Sequence, residues 1–346
     1  MVSTWIRPSR RSSWPFVLGA LAGAAAMAWL VAQRHAGALT NKLVVVTGGS
    51  RGLGLLLARE FAEAGARVVI MARDAEELDS AAADLRACGV EVDTHVCDVT
   101  QRDAVRQAVF DIHSVHGPID VLVNNAGVLH IGPSPAMTHD DMRASMDTNF
   151  WGAVNMIDAV LPGMLDRKDG RIVNICSVGG VSPVPFMLPY SASKAALNGY
   201  SLNLGYDLAP HGISVTVVHP FVMRTGGPVN GVYRGGSRRG LYAAMSLADE
   251  NAALSVSPRR VARKVVRATA ARDSIVFIGW RTRIVSVLQG VMPRALAAVY
   301  RTVARALPQS TSRNGESGRR MAGQLEGGWQ RIAERSRAKN NQPQTL

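Results

Sequence analysis

A short β-branched run from Leu43 to Thr47 leads directly into a glycine-rich turn that ends at Gly54, and a helical pattern follows from Leu55 to Ala64. In this order of strand, turn and helix, the glycines let the backbone approach a pyrophosphate, and the free N–H groups at the helix N-terminus can bind it. The turn reads TGxxxGxG and not the usual GxGxxG. Alone, the motif fits a nucleotide site and a plain tight turn equally well.

The alternation of strands and helices continues along the chain. Further strands are predicted at 67–72, 90–97, 119–123, 171–176, 213–219 and 275–279, with helices at 75–87, 102–115, 140–165 and 190–208. This alternation predicts an α/β fold, a Rossmann-like doubly wound parallel β-sheet of about seven strands with helices on both faces. Ligands of such sheets bind outside the carboxyl ends of the strands. The glycine turn lies at such an end, which favours the nucleotide site.

Tyr190 and Lys194 are four residues apart at the start of a predicted helix, so their side chains share one face. A nearby cation favours the phenolate, and the pair can then exchange a proton with an alcohol or carbonyl oxygen. Ser177 ends the preceding strand and could place its hydroxyl beside the same oxygen. An isolated YxxxK is more often a surface pair, but the motifs upstream favour an active site.

Two arginines bear on the choice of cofactor. At the end of the second strand of this fold, an acidic residue binds the ribose 2′-OH, whereas a basic residue suits a 2′-phosphate. Arg73 stands there, and Arg51 lies in the glycine turn. Two guanidinium groups on one phosphate would select NADP(H). Asp74 leaves NAD(H) possible, because it could cap the next helix or bind the ribose, and the arginines could also simply be solvated.

These motifs together resemble the short-chain dehydrogenase/reductase family over about residues 40–280: TGGSRGLG at 47–54, NNAG at 124–127, Asn149, Ser177 and YSASK at 190–194. The resemblance implies an NAD(P)-dependent oxidoreductase with a catalytic tetrad. In that tetrad Tyr190 is the general acid/base, and Ser177 orients the substrate oxygen. Lys194 holds the nicotinamide ribose and lowers the pKa of Tyr190, while Asn149 positions a water in the proton relay.

The resemblance also implies a set of cofactor contacts at the strand ends. They are Gly48, Ser50, Arg51, Gly52, Leu53, Gly54, Arg73, Asp98, Val99, Asn125, Ala126, Gly127, Tyr190, Lys194, Pro220, Val222 and Thr225. Within this set, Asp98 and Val99 meet the adenine, and the last three reach the nicotinamide amide. Phe221 stands where the family usually has glycine, so the turn after the sixth strand departs from the family pattern.

The uncharged apolar run from Phe16 to Ala32, bounded by Arg11 and Arg34, is just long enough to span a bilayer. It lacks a clear A-x-A cleavage site, which favours an uncleaved N-terminal transmembrane anchor over a secretory signal peptide. The positive-inside rule, taken literally, would send the enzyme domain out of the cytoplasm. The need for an intracellular cofactor instead favours a cytoplasmic catalytic domain, and the sequence leaves this conflict open.

The chain beyond the catalytic domain is basic. Residues 284–307 predict an amphipathic helix, restarted at Pro293, that could lie in a membrane interface or pack on the domain or a second subunit. Residues from 309 onward are expected to be disordered. The predicted domains are thus an anchor at 1–37, a catalytic domain at 38–282, a helical extension at 283–308 and a basic tail at 309–346.

Composition bears on the partners. The net charge of +13 is concentrated at the termini and suits anionic lipid head groups, and no nucleic-acid module accompanies it, so no nucleic-acid partner is expected. The three cysteines lack metal-ligand spacing, and no metal is expected. The family's helix-mediated association makes a homodimer or homotetramer possible.

Two stretches bear on the substrate. Apolar residues at 181–188 predict a small-molecule pocket for a lipophilic alcohol, ketone or aldehyde. The glycine-rich stretch at 226–247 predicts a mobile lid, whose Arg234, Arg238 and Arg239 could bind an anionic head group or lipid phosphates, or could simply be solvated. An enzyme for polar substrates, with the anchor serving only for location, and a non-catalytic NADP-sensing scaffold are the alternative functions.

Overall fold

The structure is a computed structural model that describes residues 37–251 and 254–322. Contacts divide the chain into two units, Met1–Ala38 and Leu39–Leu346, and the second contains all the elements described below. The predicted anchor at Phe16–Ala32 lies outside the described residues. Within the described ranges, no helix combines the length and the apolar character that crossing a bilayer requires.

The main sheet has seven strands, all paired in parallel, in the order β3-β2-β1-β4-β6-β7-β9. The described strands are β1 (Leu43–Thr47), β2 (Arg67–Ala72), β3 (Val92–Val96), β4 (Val121–Asn124), β5 (His130–Ile131), β6 (Gly170–Ile175), β7 (Ile213–His219), β8 (Val232–Arg234), β9 (Ile275–Phe277) and β10 (Gly315–Ser317). The predicted doubly wound parallel sheet is confirmed.

Helices cover both faces of this sheet. The described helices are α1 (Gly52–Glu63), α2 (Ala75–Ala87), α3 (Arg102–His116), α4 (His139–Met146), α5 (Gly152–Arg167), α6 (Leu188–Leu208), α7 (Arg238–Glu250), α8 (Pro258–Ala271), α9 (Trp280–Val291), α10 (Pro293–Ala306) and α11 (Gly318–Ala322). Alternate residues of β1 enter opposite cores: Val44 and Val46 pack with α1 and α8, whereas Leu43 and Val45 pack with α3 and α5. Burial on both faces explains why β1 is a continuous apolar run.

The helix predicted at 140–165 contains one irregular turn. Helix α4 continues through a π-helical turn, Asp147–Trp151, into α5. Asn149 lies at the centre of that turn and is buried. Such π turns are frequent at functional sites because they reorient a side chain within an otherwise regular helix.

A second, three-stranded sheet was not predicted. In it β8 pairs in parallel with β5 and antiparallel with β10. The prediction of a disordered tail from residue 309 is therefore wrong for residues 315–322, which form β10 and α11. Met321 of α11 is buried in a cluster with Ile131 and Tyr233. This segment is ordered because it completes a small apolar core that its own composition does not reveal.

The stretch predicted as a lid contains regular structure, β8 and α7. Its Arg234 donates to the buried Asp141 carboxylate at 2.8 Å, and Arg238 donates to Glu316 at 3.0 Å. The Arg234 guanidinium also donates to the Arg313 carbonyl oxygen. Arg234 and Arg238 thus bind other parts of the chain, which argues against the prediction that they bind an anionic head group.

The packing of α11 can be tested with Met321→Ala. The side chain is 0% exposed, so its truncation should lower the free energy of unfolding by about 2–5 kcal/mol. Met292→Ala is the matched control, since that side chain is 51% exposed and the same truncation there should change stability by about 0.5 kcal/mol or less. Urea denaturation of both variants measures the difference. Equal effects would contradict the docking of residues 315–322.

Candidate active site

Ser177 and Tyr190 meet at the carboxyl end of β6. Ser177 follows that strand by two residues, and its hydroxyl lies close enough to the phenol of Tyr190, in the first turn of α6, to act on the pKa of that phenol. Both surround Gly179, where an added Cβ would lie 3.5 Å from the Ser177 Oγ and 3.7 Å from the Tyr190 Cε1. The two hydroxyl groups predicted to bind one substrate oxygen are therefore adjacent.

Lys194 lies one turn further along α6 and is 4% exposed. Its Nζ donates to the carbonyl oxygen of Ile175 at 2.7 Å. Burial lowers the pKa of this ammonium group, and the nearby Cys176 opposes that change. Lys194 thus binds the end of β6, two residues before Ser177.

Burial raises the pKa of the Tyr190 phenol above its ordinary value, and the hydrogen bond with Ser177 works in the opposite direction. This is the reverse of the lowering by Lys194 that the family resemblance implies. The physical reason is that removing the phenolate from water outweighs the stabilisation it receives from its neighbours. In the chain alone, Tyr190 is a neutral phenol at neutral pH.

Asn149 links the end of β4 to α6. Its side-chain oxygen accepts from the Val128 N–H at 2.8 Å, and its amide donates to the Val128 carbonyl at 3.1 Å and to the Ser193 hydroxyl at 2.9 Å. Ser193 in turn donates to the Tyr190 carbonyl oxygen at 2.9 Å. Through these hydrogen bonds Asn149 holds the backbone around Tyr190 in place. The π turn directs the Asn149 side chain toward Val128 and Ser193.

The glycine turn can exist only with small residues. Gly48 has a φ of +63°, and a Cβ on Gly54 would lie 2.1 Å from the Gly48 carbonyl oxygen. Asn125 donates its side-chain amide to the carbonyl oxygens of Thr47 and Gly48, both at 3.1 Å. These bonds brace the end of β4 and join NNAG to the glycine turn.

Thr47 is a site residue that the sequence reasoning missed. Its hydroxyl donates to the Val123 carbonyl at 3.3 Å and accepts from the N–H groups of Asn125 and Ala126 at 3.0 and 3.1 Å. One side chain thereby shapes the loop that runs to Gly127. Its position as the polar last residue of an apolar strand was the available signal.

The predicted phosphate-selecting arginines lie beside a carboxylate that was also missed. The Arg51 guanidinium forms an ion pair with Glu77, and the Ser50 hydroxyl donates to Glu77 at 3.3 Å. Arg73 is exposed, and its charge acts on Arg51. Asp74 caps α2 by accepting from the Glu77 N–H at 3.0 Å. Of its two predicted roles, the structure shows the helix cap.

Asp98 and Val99 follow β3, as predicted, but turn toward the protein. Asp98 accepts from both the N–H and the hydroxyl of Thr100, at 3.0 and 2.9 Å. Val99 is buried, and a Cβ on Gly152 would lie 2.6 Å from its methyl group. The Asp98 carboxylate stabilises its own loop, and the Val99 side chain packs against Gly152.

The segment after β7 stays close to the tetrad despite Phe221. The Pro220 carbonyl accepts from the Val178 N–H at 3.0 Å, and the Val222 carbonyl accepts from the Val256 N–H at 2.8 Å. Thr225 donates its N–H to the buried Asp249 at 3.2 Å. These bonds hold the turn beside the loop that carries Ser177.

Ligands of a doubly wound sheet bind in the groove outside the carboxyl ends of its strands. Here the guanidinium groups lie at the α2 end of that groove, and the phenol and ammonium lie at the α6 end. Gly52, the first residue of α1 with a φ of +56°, and Leu53 place the free N–H groups of a helix N-terminus between them. Because the glycines of this turn carry no Cβ, a pyrophosphate can approach the backbone of the turn closely. These residues therefore fit a bound nicotinamide dinucleotide.

Comparisons with known proteins agree with this geometry. A family model described as short chain dehydrogenase matches residues 42–230. The dehydrogenase/reductase SDR family member 7B of Bos taurus is 34% identical over 273 residues, which are 77% of this chain and 79% of that protein. A short-chain dehydrogenase structure from Streptomyces avermitilis has a TM-score of 0.66 at 27% identity and covers 77% of this chain and 98% of its own.

A gluconate 5-dehydrogenase from Burkholderia cenocepacia, solved in complex with NADP and tartrate, has a TM-score of 0.61 at 30% identity and covers 71% of this chain and 96% of its own. The region matched by the family model begins just before β1 and contains the glycine turn, NNAG, Asn149, Ser177 and YSASK. This chain belongs to the short-chain dehydrogenase/reductase family and is an NAD(P)-dependent oxidoreductase for alcohol and ketone substrates.

Proposed function

We propose that this protein interconverts a lipophilic secondary alcohol and its ketone, or an alcohol and its aldehyde, with NADP(H) as cofactor and Tyr190 as general acid/base. The observation that carries the proposal is that the Ser177 and Tyr190 side chains lie together around Gly179, while the buried Lys194 binds the end of the same strand, β6. Two adjacent hydroxyl groups can both hydrogen-bond with a single carbonyl or alcohol oxygen.

Each residue of the site has a separate role in the proposed reaction. Bound NADP(H) would supply or accept the hydride. Ser177 holds the substrate oxygen by a hydrogen bond, and Tyr190 donates a proton to that oxygen in reduction and takes one from it in oxidation. Lys194 would hold the nicotinamide ribose. Asn149 keeps Tyr190 in place through Ser193.

The preference for NADP(H) rests on Arg51 and Arg73. Both are placed at the α2 end of the groove, where their charges interact, and Asp74 is occupied as the cap of α2. Guanidinium pairs bind phosphate more strongly than they bind a neutral hydroxyl. The gluconate 5-dehydrogenase, solved with NADP, supports the same cofactor class.

The lipophilic substrate is inferred from the loop between Ser177 and Tyr190. Phe186 and Met187 pack against the apolar cluster of Ile131 and Tyr233. Phe186 has a φ of +68°, rare for a bulky residue, and its carbonyl oxygen accepts from the Gly132 N–H at 2.8 Å. Such strain is found where a loop must hold a set shape at a functional site. The resulting wall beside the tetrad is apolar.

Membrane association is proposed on two grounds. The first is the apolar run Phe16–Ala32, which stays our prediction for an N-terminal anchor with a cytoplasmic catalytic domain. The second is the pair of helices α9 and α10, which restart at Pro293 as predicted. Exposed apolar side chains lie at helical spacing on both, accompanied by arginines: Ile284, Val287, Val291, Val299 and Val303, with Arg281, Arg283, Arg294, Arg301 and Arg305. A basic surface with exposed valines suits an anionic lipid interface.

The same helices reach the active-site loop. The Ser182 hydroxyl bonds with Gln289 of α9 at 3.2 Å and with the Tyr300 hydroxyl of α10 at 3.0 Å. Ser182 is buried and lies five residues after Ser177. A lipid surface at α9 and α10 would therefore lie near the route to the substrate pocket, which agrees with a lipophilic substrate.

Replacement of Tyr190 tests the catalytic role. Tyr190→Phe should lower turnover of a long-chain ketone by about 100- to 10,000-fold, because it removes the transferable proton. Tyr206→Phe, on an exposed turn of the same helix, should leave turnover unchanged. NADPH binding, followed by fluorescence, should be the same in both variants. Turnover of Tyr190→Phe near that of the wild type would favour a non-catalytic scaffold.

The raised pKa of Tyr190 gives the two directions different pH profiles. The neutral phenol persists through neutral pH, so the reduction rate should be level between about pH 6 and pH 8. Oxidation needs the phenolate, so its rate should rise about tenfold per pH unit over that range. Steady-state rates in both directions measure this. An oxidation rate independent of pH there would contradict Tyr190 as the base.

Lipid binding by α9 can be tested on a chain that begins at Leu39, since that unit contains both sheets. Val287→Glu and Val291→Glu should each lower binding to vesicles containing phosphatidylserine about tenfold, because burying a valine contributes about 1.5 kcal/mol or more. Val115→Glu is the control, since Val115 is at least as exposed as the two α9 valines but lies on α3. Vesicle co-sedimentation measures the three. Equal binding by all of them would show that α9 does not contact the lipid.

A further inference from the structure

Residues 315–322, here called the C-terminal strap, run back to the catalytic domain. The strand β10 pairs with β8 so that Glu316 faces Tyr233 and Ser317 faces Val232. Gly318 donates its N–H to the Gly231 carbonyl at 2.9 Å, and Met321 anchors α11 in the apolar cluster. The pairing of β10 with β8 before Arg319 and the buried Met321 after it together fix the position of Arg319.

Arg319 reaches the α2 end of the cofactor groove. Its guanidinium donates to one carboxylate oxygen of Glu77 at 2.6 Å and to the Asn230 side-chain oxygen at 3.2 Å. The other oxygen of Glu77 contacts Arg51. Glu77 thus bridges one guanidinium from the glycine turn and one from a segment 242 residues away in sequence.

Positive charge exceeds negative charge at the α2 end of the cofactor groove. Burial lowers the pKa of Arg51, the positive charges of Arg319 and Arg73 lower it further, and Glu77 acts in the opposite direction. Asp74 also acts on Arg51, but its carboxylate caps α2. Two arginines therefore share one bridging carboxylate while a third, Arg73, lies close enough to act on Arg51, and the Arg319 side chain is still 55% exposed. A dianionic phosphate offers these arginines more charge and more acceptor oxygens than Glu77 does.

We propose that Arg319 is a specificity-determining residue that binds the 2′-phosphate of NADP(H), and that Glu77 occupies the arginines until the phosphate displaces it. The proposal rests on the proposed NADP(H) preference and adds the strap to the cofactor site. Glu77 then has two effects: it keeps Arg51 and Arg319 aimed at the groove, and it competes with the phosphate for them.

The rival account is that Arg319 and Glu77 only tether the strap to α2. The two accounts predict opposite effects of Glu77→Gln on the binding of a 2′-phosphate. If Arg319 and Glu77 only tie the strap down, removing either one should have the same effect on cofactor binding. If they compete as proposed, loss of Arg319 weakens the binding of a 2′-phosphate, whereas Glu77→Gln strengthens it. The comparison therefore needs both variants.

The experiment is calorimetric titration of the full chain with NADPH, NADH, 2′,5′-ADP and 5′-AMP. Arg319→Ala should weaken NADPH and 2′,5′-ADP binding about 10- to 100-fold, as expected for one charge-assisted pair of hydrogen bonds. NADH and 5′-AMP binding should not change. Arg320→Ala removes the same charge from the neighbouring residue and should leave all four unchanged. Arg319→Gln, which retains a side chain able to bond with Asn230, should reproduce the selective loss without loosening the strap.

The outcomes separate this proposal from the one on which it rests. Wild-type protein that binds NADPH no better than NADH would overturn the cofactor preference and this proposal with it. A wild-type preference for NADPH that both Arg319 variants keep would overturn the role of Arg319 alone. Weaker 2′,5′-ADP binding by Glu77→Gln would show the tether, since displacement of Glu77 requires the opposite change.

Discussion

Parallel pairing of β1, β4 and β6 is the constraint on which the site depends. Both faces of these strands are buried under helices, so the polar residues of the site lie at the strand ends. All carboxyl ends of a parallel sheet lie at one edge. Backbone pairing alone therefore brings together the glycine turn after β1, the asparagine loop after β4 and Ser177 after β6.

Burial then sets the protonation of the catalytic pair. The pKa of Tyr190 rises and that of Lys194 falls, because each would leave a charge with little water. A neutral phenol beside Ser177 can donate a proton to a carbonyl oxygen, as the proposed reduction requires. At the other end of the groove positive charge is in excess, since Arg51 and Arg319 share the carboxylate of Glu77 and Arg73 lies close enough to act on Arg51. The groove is thus suited to an anion at one end and a carbonyl at the other.

Most of the main sheet, and the closeness of Ser177 to Tyr190, could be predicted from the sequence, because both are encoded locally. Strand and helix periodicity give the alternation, and the spacing from Tyr190 to Lys194 places both on one helix. The direction of the Tyr190 pKa could not be predicted, since a motif does not show how deeply its residues are buried. The contact of Arg319 with Glu77 was also beyond prediction, because it spans 242 residues and depends on a small sheet with very short strands.

The most direct test of this account is a crystal structure of the full chain with bound NADP+. The account predicts a dinucleotide along the carboxyl edge of the sheet, with the pyrophosphate at Gly48–Gly54 and the nicotinamide ribose at Lys194. It also predicts the 2′-phosphate among Arg51, Arg73 and Arg319, with Glu77 released from both of its partners. A 2′-phosphate pointing into solvent, with the Glu77 ion pairs intact, would contradict the assignment of this end of the groove. A dinucleotide bound elsewhere would contradict the whole site.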